Sequence, residues 1–368
     1  MQPKRILPLA FAALAAAAQS LNTVLQANND SLSTFNSLLA MVPAVSKTLS
    51  NGKDMTVLAP SNDAFAKRME MDPVFAQQTS NVTFVAELLK YHVFQGKTMA
   101  SMFSSTPKFA QSMLETAAAN VTGNQKVGLV KKGDQVRIFS GYKQMSVVTK
   151  ADIAFTGSVL HVVDSVLTFP GTPIETAMNT GLTSMAGALM RAKLVDGVDS
   201  LQAATIFAPT NAAFQAIGAT VAAMEPQDLA KILQYHLLSN QVRFSSGVTT
   251  KMAYKSLMGV KVTLRKENNV LFANSAKVTT SDIITSDGVI HVIDNVLNPA
   301  SPKLNPSPSA DTSKLAFQGA VAAANAPFTD GVRPTANFSP ASSTSRSFGV
   351  SLNSAILGFV GCLAVVYL

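Results

Sequence analysis

The sequence predicts an α+β protein built from two tandem copies of one domain. Three segments occur twice and in the same order: TVLAPSNDAF at 56–65 and TIFAPTNAAF at 205–214, KYHVFQG at 90–96 and QYHLLSN at 234–240, LHVVDSVL at 160–167 and IHVIDNVL at 290–297. In each copy, helical periodicity comes first and strand patterns follow, which is typical of the α+β class. Each copy is long enough to be a complete domain.

The chain begins with a pattern typical of a secretory signal peptide. Lys4 and Arg5 precede an apolar run from Ile6 to Ala18 that ends in three alanines. Charged residues, an apolar stretch and small residues in this order predict a signal peptide over residues 1–18 that is removed on secretion.

The first repeated segment predicts a strand, a stop and a helix cap. Thr56 to Leu58 form an apolar run, and Pro60, which has no N–H to donate to a strand ladder, ends it. Ser61 in the first copy and Thr210 in the second are placed to cap the helix that follows. The phenylalanines at 65 and 214 then fall in the core.

The second repeated segment predicts a buried helix, and the residues after it predict hairpins. Apolar residues recur at helical spacing from Val82 to Val93 and again from Leu229 to Leu237. Further along, VGLVKKGDQVRIF and VKVTLRKENNVLF each hold two strand patterns around a turn, at Gly133-Asp134 and at Asn268-Asn269.

A break between the copies sets the domain limits. Two prolines and a glycine occupy residues 170–173 and interrupt any regular element. We therefore expect a first domain at residues 20–169 and a second at 174–298.

The rest of the chain predicts a stalk and an anchor. Residues 299–343 are rich in Pro, Ser and Thr, a composition that favours an extended, disordered, O-glycosylated stalk. Residues 344–368 end in an apolar run after small polar residues, which indicates a glycosylphosphatidylinositol (GPI) attachment signal, with Ser343 or Ser342 as acceptor and Asn337 as a fallback. A short membrane anchor is the alternative, but the run is brief and no basic residue follows it.

Composition excludes two classes of protein. The net charge of +8 falls to +5 once Lys4, Arg5 and Arg346 leave with the terminal segments. This surplus is scattered, whereas nucleic-acid binding needs a clustered basic face, so we expect no nucleic-acid partner. The one cysteine, Cys362, lies in the predicted anchor signal, so the mature protein is expected to have neither a disulfide nor a thiol nucleophile.

Four Asn-x-Ser/Thr triplets suit a secreted chain. We predict N-glycosylation at Asn29, Asn81, Asn120 and Asn337.

The repeated segments resemble the fasciclin family. The resemblance rests on the T-V/I-x-A-P-S/T-N-x-A-F segments, the Tyr-His pairs and the Asp-Ile and His-Val-Val/Ile-Asp segments, and it covers residues 20–298. It implies two tandem domains, each an antiparallel β-wedge flanked by helices, in a surface glycoprotein of fungal or plant type. It also implies adhesion, matrix contact or cell-wall organisation rather than catalysis.

The resemblance also implies candidate contact residues for adhesion. These are two Asp-Ile pairs and two Tyr-His pairs: Asp152 and Ile153, Asp282 and Ile283, Tyr91 and His92, Tyr235 and His236. The residues before each Asp-Ile pair depart from the family pattern. Lys132-Gly133-Asp134 spells a receptor-like tripeptide, but Gly-Asp is also a common turn pair.

The residues favour no catalytic, cofactor or metal site. The histidines at 92 and 236 fall on apolar helix faces, where an imidazole is usually a buried, hydrogen-bonded group. In His161-x-x-Asp164, the separation on a strand sends the two side chains to opposite faces, so they do not readily share one ion. Gly96-Lys97-Thr98 lacks the first glycine of a phosphate loop, and no hydrolase motif is present.

The sequence therefore predicts a non-catalytic protein, without cofactor, that leaves the secretory pathway for the outer face of the plasma membrane or the cell wall. Its expected partners are cell-surface, cell-wall or matrix proteins and glycans, and the membrane through a lipid anchor. A secreted structural wall glycoprotein is the alternative. A metal-dependent hydrolase is a remote one.

Overall fold

The computed structural model describes residues 19–115, 124–286, 288–302, 304–306 and 313–334. The predicted signal peptide at 1–18, the GPI signal at 344–368 with Ser342 and Ser343, and the sequons at Asn120 and Asn337 lie outside the described residues. Within these ranges, no helix is both long and apolar enough to cross a membrane.

The first domain opens with helices and closes with strands. Its helices are α1 Leu21–Ala27, α2 Asn29–Met41, α3 Pro43–Asn51, α4 Asn62–Met71, α5 Pro73–Gln78 and α6 Val82–Tyr91. Its strands are β1 Met55–Pro60, β2 Val93–Gln95, β3 Lys108–Gln111, β4 Lys126–Lys132, β5 Gln135–Phe139, β6 Met145–Phe155 and β7 Ser158–Val163. Across the described residues the strands form one sheet in the order β2-β1-β7-β6-β5-β4-β3.

The second domain repeats this plan. Its helices are α7 Pro173–Asn179, α8 Thr183–Arg191, α9 Val195–Asp199, α10 Asn211–Gln215, α11 Gly218–Ala222 and α12 Pro226–Tyr235. Its strands are β8 Ala204–Pro209, β9 Leu237–Leu238, β10 Met252–Lys255, β11 Lys261–Glu267, β12 Val270–Ala273, β13 Ala276–Thr285 and β14 Gly288–Ile293. They pair in the order β10-β11-β12-β13-β14-β8-β9. The predicted fold class, two α+β domains in tandem, is confirmed.

The strand, stop and cap predicted for the first repeated segment are present in both domains. The side-chain oxygen of Ser61 accepts from the backbone N–H of Ala64 at 3.1 Å, and that of Thr210 accepts from Ala213 at 3.0 Å. Phe65 and Phe214 follow and are buried. The segment is therefore a structural device that passes the chain from a central strand into a helix.

One strand pair in each sheet is not antiparallel, in contrast to the predicted antiparallel wedge. Strand β1 runs parallel to β7, and β8 runs parallel to β14, while the other pairs are antiparallel. The members of each parallel pair are the first and last strands of their domain. Since most of the domain lies between them, the chain can make the crossover that a parallel pair needs.

Both predicted hairpin turns are confirmed. Gly133 connects β4 to β5 at φ 59°, and Asn268 and Asn269 connect β11 to β12 at φ 50° and 64°. Glycine and asparagine tolerate positive φ better than other residues, and two-residue hairpin loops require it.

The predicted stalk is wrong for residues 313–334, which we call the strap. Leu315, Phe317 and Phe328 pack against the helical core of the second domain, and Val332 belongs to that core. The backbone also bonds to the domain: the N–H of Ala323 donates to the carbonyl of Gln215 at 2.9 Å. These few apolar side chains are buried against the domain. The average composition of the whole segment, which is rich in Pro, Ser and Thr, does not reveal them.

Side-chain amides of the second domain hold the start of the strap. Asn295 donates to the carbonyl of Lys314 at 2.7 Å, and Asn298 donates to that of Ala316 at 3.0 Å. The corresponding positions of the first domain are Ser165 and Thr168, which cannot make the same amide contacts. The strap is therefore specific to the second domain.

Candidate functional site

The Tyr-His pairs lie inside the domains. Tyr91, His92, Tyr235 and His236 are all at most 1% exposed. The hydroxyl of Tyr91 donates to the carbonyl of Lys126, and that of Tyr235 donates to Lys261. Each tyrosine thus ties the end of a helix to the first residue of a strand, β4 or β11.

The two histidines of these pairs are hydrogen-bonded at both ring nitrogens. The Nε2 atom of His92 accepts from the backbone N–H of Leu167 at 3.0 Å, so the proton is on Nδ1, which donates to the carbonyl of Leu88 at 2.8 Å. His236 makes the same contacts to Leu297 and Ile232. Each is the residue just after helix α6 or α12. The prediction that they are structural core groups is confirmed.

Burial keeps both of these histidines neutral. It lowers the pKa of His92 and of His236 to about 4, although the hydrogen bond to the helix carbonyl works in the opposite direction. A charged ring would lose its acceptor nitrogen as well as its hydration.

A second histidine in each domain supports the Asp-Ile pair. The backbone N–H of Asp152 donates to Nδ1 of His161 at 3.1 Å, and Nε2 of His161 donates to the carbonyl of Thr98 at 2.9 Å. In the second domain, Asp282, His291 and Arg243 repeat the arrangement.

Both aspartates of the Asp-Ile pairs adopt φ 62°, at register shifts in β6 and β13. Each histidine therefore fixes a bulge that presents an aspartate. Asp164 bonds elsewhere, to the backbone N–H of Val147, so His161 and Asp164 do not share a partner.

The two aspartates have opposite surroundings. The side chain of Asp152 is 35% exposed, and one of its oxygens accepts from the N–H of Ala100 at 2.8 Å. Asp282 is 2% exposed, and its carboxylate accepts from the N–H and hydroxyl of Ser245 and from the hydroxyl of Ser281. The aspartate of the Asp-Ile pair is thus exposed to solvent in the first domain and buried in the second.

Lys143 of the first domain covers Asp282. Its Nζ donates to the carbonyls of Ser281 and Asp282, and its ammonium lies 5.0 Å from the ring centroid of Phe139. Burial lowers the pKa of Lys143, and the charge of Asp282 opposes that effect. Burial also works to raise the pKa of Asp282, but His291, the Lys143 ammonium and the Ser245 hydrogen bonds together outweigh it, and the pKa lies below its usual value.

Other contacts join the domains around this pair. The rings of Phe109 and Phe244 stack with centroids 3.7 Å apart. The side-chain amide of Gln125 donates to the carbonyl of Thr285, and the N–H of Ser286 donates to the carbonyl of Gly171 in the segment between the domains. The described domains are therefore in direct contact on the side that holds Asp282.

Of the eight predicted contact residues, six are core groups in this structure. Asp282 and Ile283 join the two Tyr-His pairs inside the protein, whereas Asp152 is exposed and Ile153 is partly so. Sequence reasoning missed Lys143 and Ser245, which enclose Asp282.

Two sequons can be placed in the structure. Asn29 and Asn81 are both exposed. The Oδ1 atom of Asn81 caps helix α6 by accepting from Thr83 and Phe84, which leaves its Nδ2 atom, the glycosylation atom, pointing away from the helix amides. Among the described residues, no group of three or more His, Cys, Asp or Glu side chains could hold a metal ion.

Comparison with known proteins gives consistent matches. Residues 30–169 and 180–299 each match the fasciclin domain. The fasciclin-like arabinogalactan protein of Arthroderma benhamiae is 30% identical over 82% of this chain and 72% of its own. The fasciclin-like arabinogalactan protein elcF of Phaeosphaeria nodorum is 30% identical over 76% of this chain and 88% of its own. A solved FAS1 domain pair from the insect cell adhesion molecule Fasciclin I aligns with 74% of this chain and 98% of its own, at 18% identity and TM-score 0.36.

Proposed function

Because the chain belongs to the fasciclin family, we propose that it is a non-catalytic adhesion protein of the cell surface, and that its first domain makes the adhesive contact. The family membership supports an adhesion-type role. The observation that carries the finer proposal is the exposed Asp152-Ile153 bulge, whose counterpart at Asp282 is closed by Lys143. Partners would be proteins or glycans of the cell surface, the wall or the matrix.

The chemistry of the bulge suits a binding role. The hydrogen bond from the backbone N–H of Asp152 to His161 holds Asp152 at positive φ. Its carboxylate is therefore presented on a fixed backbone rather than on a mobile loop. One carboxylate oxygen caps Ala100, and the exposed remainder can accept hydrogen bonds from a partner. A rigid, charged group loses little conformational entropy when it binds.

Replacing Asp152 with alanine should reduce the attachment of cells that carry the protein. We expect about a tenfold weaker interaction, the usual consequence of losing a hydrogen bond to a charged group. The measurement is cell attachment to wall or matrix material under flow, with wild type as reference.

Asp164→Ala is the matched control. Asp164 is also an exposed carboxylate of the first domain, and it accepts from the backbone N–H of Val147 at 2.7 Å and from the hydroxyl of Ser165 at 3.1 Å. Its loss should lower stability to a similar degree and leave attachment unchanged. Equal attachment by the two variants would rule out a contact through Asp152.

We also propose that a GPI anchor holds the protein at the outer face of the plasma membrane or the wall. Support comes from the apolar run after small polar residues at 344–368. Deleting residues 344–368 should turn a surface protein into a freely secreted one, measured as protein in the culture medium.

Treatment of intact cells with a phosphatidylinositol-specific phospholipase gives an independent test of the anchor. It should release the lipid-anchored protein, whereas a secreted wall glycoprotein, the alternative proposal, would remain in place. Retention of both the treated and the truncated protein would contradict the lipid anchor.

A further inference from the structure

A cleft lies between the domains, next to Lys143. It has a volume of about 420 Å³ and runs from the β4–β5 hairpin of the first domain to Ser281 and Asp282 of the second. Small-molecule sites are commonly about 300 to 1,000 Å³. Its lining separates into apolar residues, chiefly Pro107, Phe109, Val130 and Phe139, and basic residues, Lys131, Lys132, Arg137 and Lys143.

The apolar part of the cleft is a fixed aromatic surface. Gly128 lies between Phe109 and Phe139, and a Cβ atom there would come within 3.2 Å of the first ring and 3.3 Å of the second residue's Cβ. A glycine therefore lets the two phenyl groups close over β4. Phe244 of the second domain stacks on Phe109 and holds its ring in place.

The basic part of the cleft is not neutralised by its own lining. Asp282 is the one carboxylate among the described lining residues, against four basic side chains. Its oxygens are already bonded to Ser245 and Ser281, and its charge balances that of Lys143. The charge of Arg137 therefore has no carboxylate partner within the cleft.

Arg137 lies on the cleft face of the β4–β5 hairpin, opposite Val130. One of its terminal nitrogens donates to the side-chain oxygen of Gln135 at 2.9 Å. Its Nε atom is closed off by the protein, so a ligand in the cleft would meet the terminal nitrogens of the guanidinium.

We propose that this cleft binds a small amphipathic carboxylate, with its apolar chain on Phe109 and Phe139 and its carboxylate on Arg137. The guanidinium presents donors that match the two oxygens of a carboxylate. An inorganic anion would leave the aromatic surface unused, and a neutral lipid would leave the charge of Arg137 without a counter-ion. This site goes beyond adhesion, because it lies away from Asp152 and needs both domains.

Isothermal titration calorimetry of the purified two-domain chain tests the proposal with a matched pair of probes. Decanoate and its uncharged amide, decanamide, share one apolar chain and differ in charge. We expect decanoate to bind more tightly than decanamide. Arg137→Gln should weaken decanoate binding by about tenfold and leave decanamide binding unchanged.

The control variant is Lys266→Ser, which removes one positive charge from the second domain. Lys266 is exposed and does not line the cleft, so decanoate should bind this variant normally. Arg137→Lys keeps the charge but loses the planar guanidinium, so it should weaken decanoate alone and serves as the second test if Arg137→Gln fails to fold. Equal affinities for the two probes, or decanoate binding unaffected by both cleft variants, would overturn the proposal. So would displacement of decanoate by inorganic phosphate at equal concentration.

Discussion

Lowering the pH from 7 to 5 should reduce the free energy of unfolding of each domain by on the order of 2 kcal/mol. His92 and His236 have pKa values of about 4 in the folded domains, against a usual value of 6.5. The unfolded chain therefore binds more protons than the folded one between these values. The stabilisation is complete above pH 6.5 and is lost as the pH falls towards 4.

The other buried histidines change stability in the same direction. Burial also lowers the pKa of His161 and His291. Urea denaturation at a series of pH values measures the combined effect, as a fall in midpoint with acidification. A flat profile between pH 7 and 5 would show that these rings are not buried as described.

A single variant separates the second domain's share of this effect. His236→Ala removes the hydrogen bonds to Ile232 and Leu297 and should cost about 1 to 3 kcal/mol at pH 7. Its stability should then depend less on pH than that of the wild type. Loss of stability with an unchanged pH dependence would mean that His236 is not a titrating group.

The second large effect concerns Gly187, and its sign should depend on the strap. In the full chain, Gly187→Ala should destabilise the second domain by about 2 kcal/mol, because burial of Phe328 and its neighbours is lost. An added Cβ atom would lie 1.7 Å from the carbonyl oxygen of Phe328, and the three nearest atoms all belong to that residue. The strap must therefore move away from α8.

A chain that ends at residue 299 provides the comparison. There the same substitution should stabilise the domain by up to about 1 kcal/mol, since alanine is a better helix former than glycine. The full and truncated chains, each with and without Gly187→Ala, form a double-mutant cycle that urea denaturation measures. We expect the substitution to lower the free energy of unfolding of the full chain and to raise that of the truncated chain. Gly187→Ala with the same effect in both chains would contradict the docked strap.

Features set by local chemistry were predictable from the sequence. Pro60 ends a strand and Ser61 caps the helix that follows it. The positive φ of Gly133 at the hairpin turn is likewise set by the residues of the turn itself. The burial of His92 followed from helical spacing, although the residue proved to lie just past the helix end.

Features that depend on distant partners were not predictable. Asp152 and Asp282 carry the same motif, but Asp282 is enclosed by Ser245 of its own domain and by Lys143, a turn residue of the other domain. No periodicity in the sequence reports such a contact. The strap was concealed for a different reason, because Leu315, Phe317 and Phe328 are few among many polar residues and composition averages over them.

The strap also determines how the second domain would respond to a pulling force. The chain leaves β14, runs back over the helical layer, and last contacts the described core at Val332. Tension applied beyond residue 334 would act first on the strap and peel its contacts one after another. Only then would it reach β14, which is held between β8 and β13 along its length. The second domain therefore contains a segment that can lengthen under load before its sheet is strained.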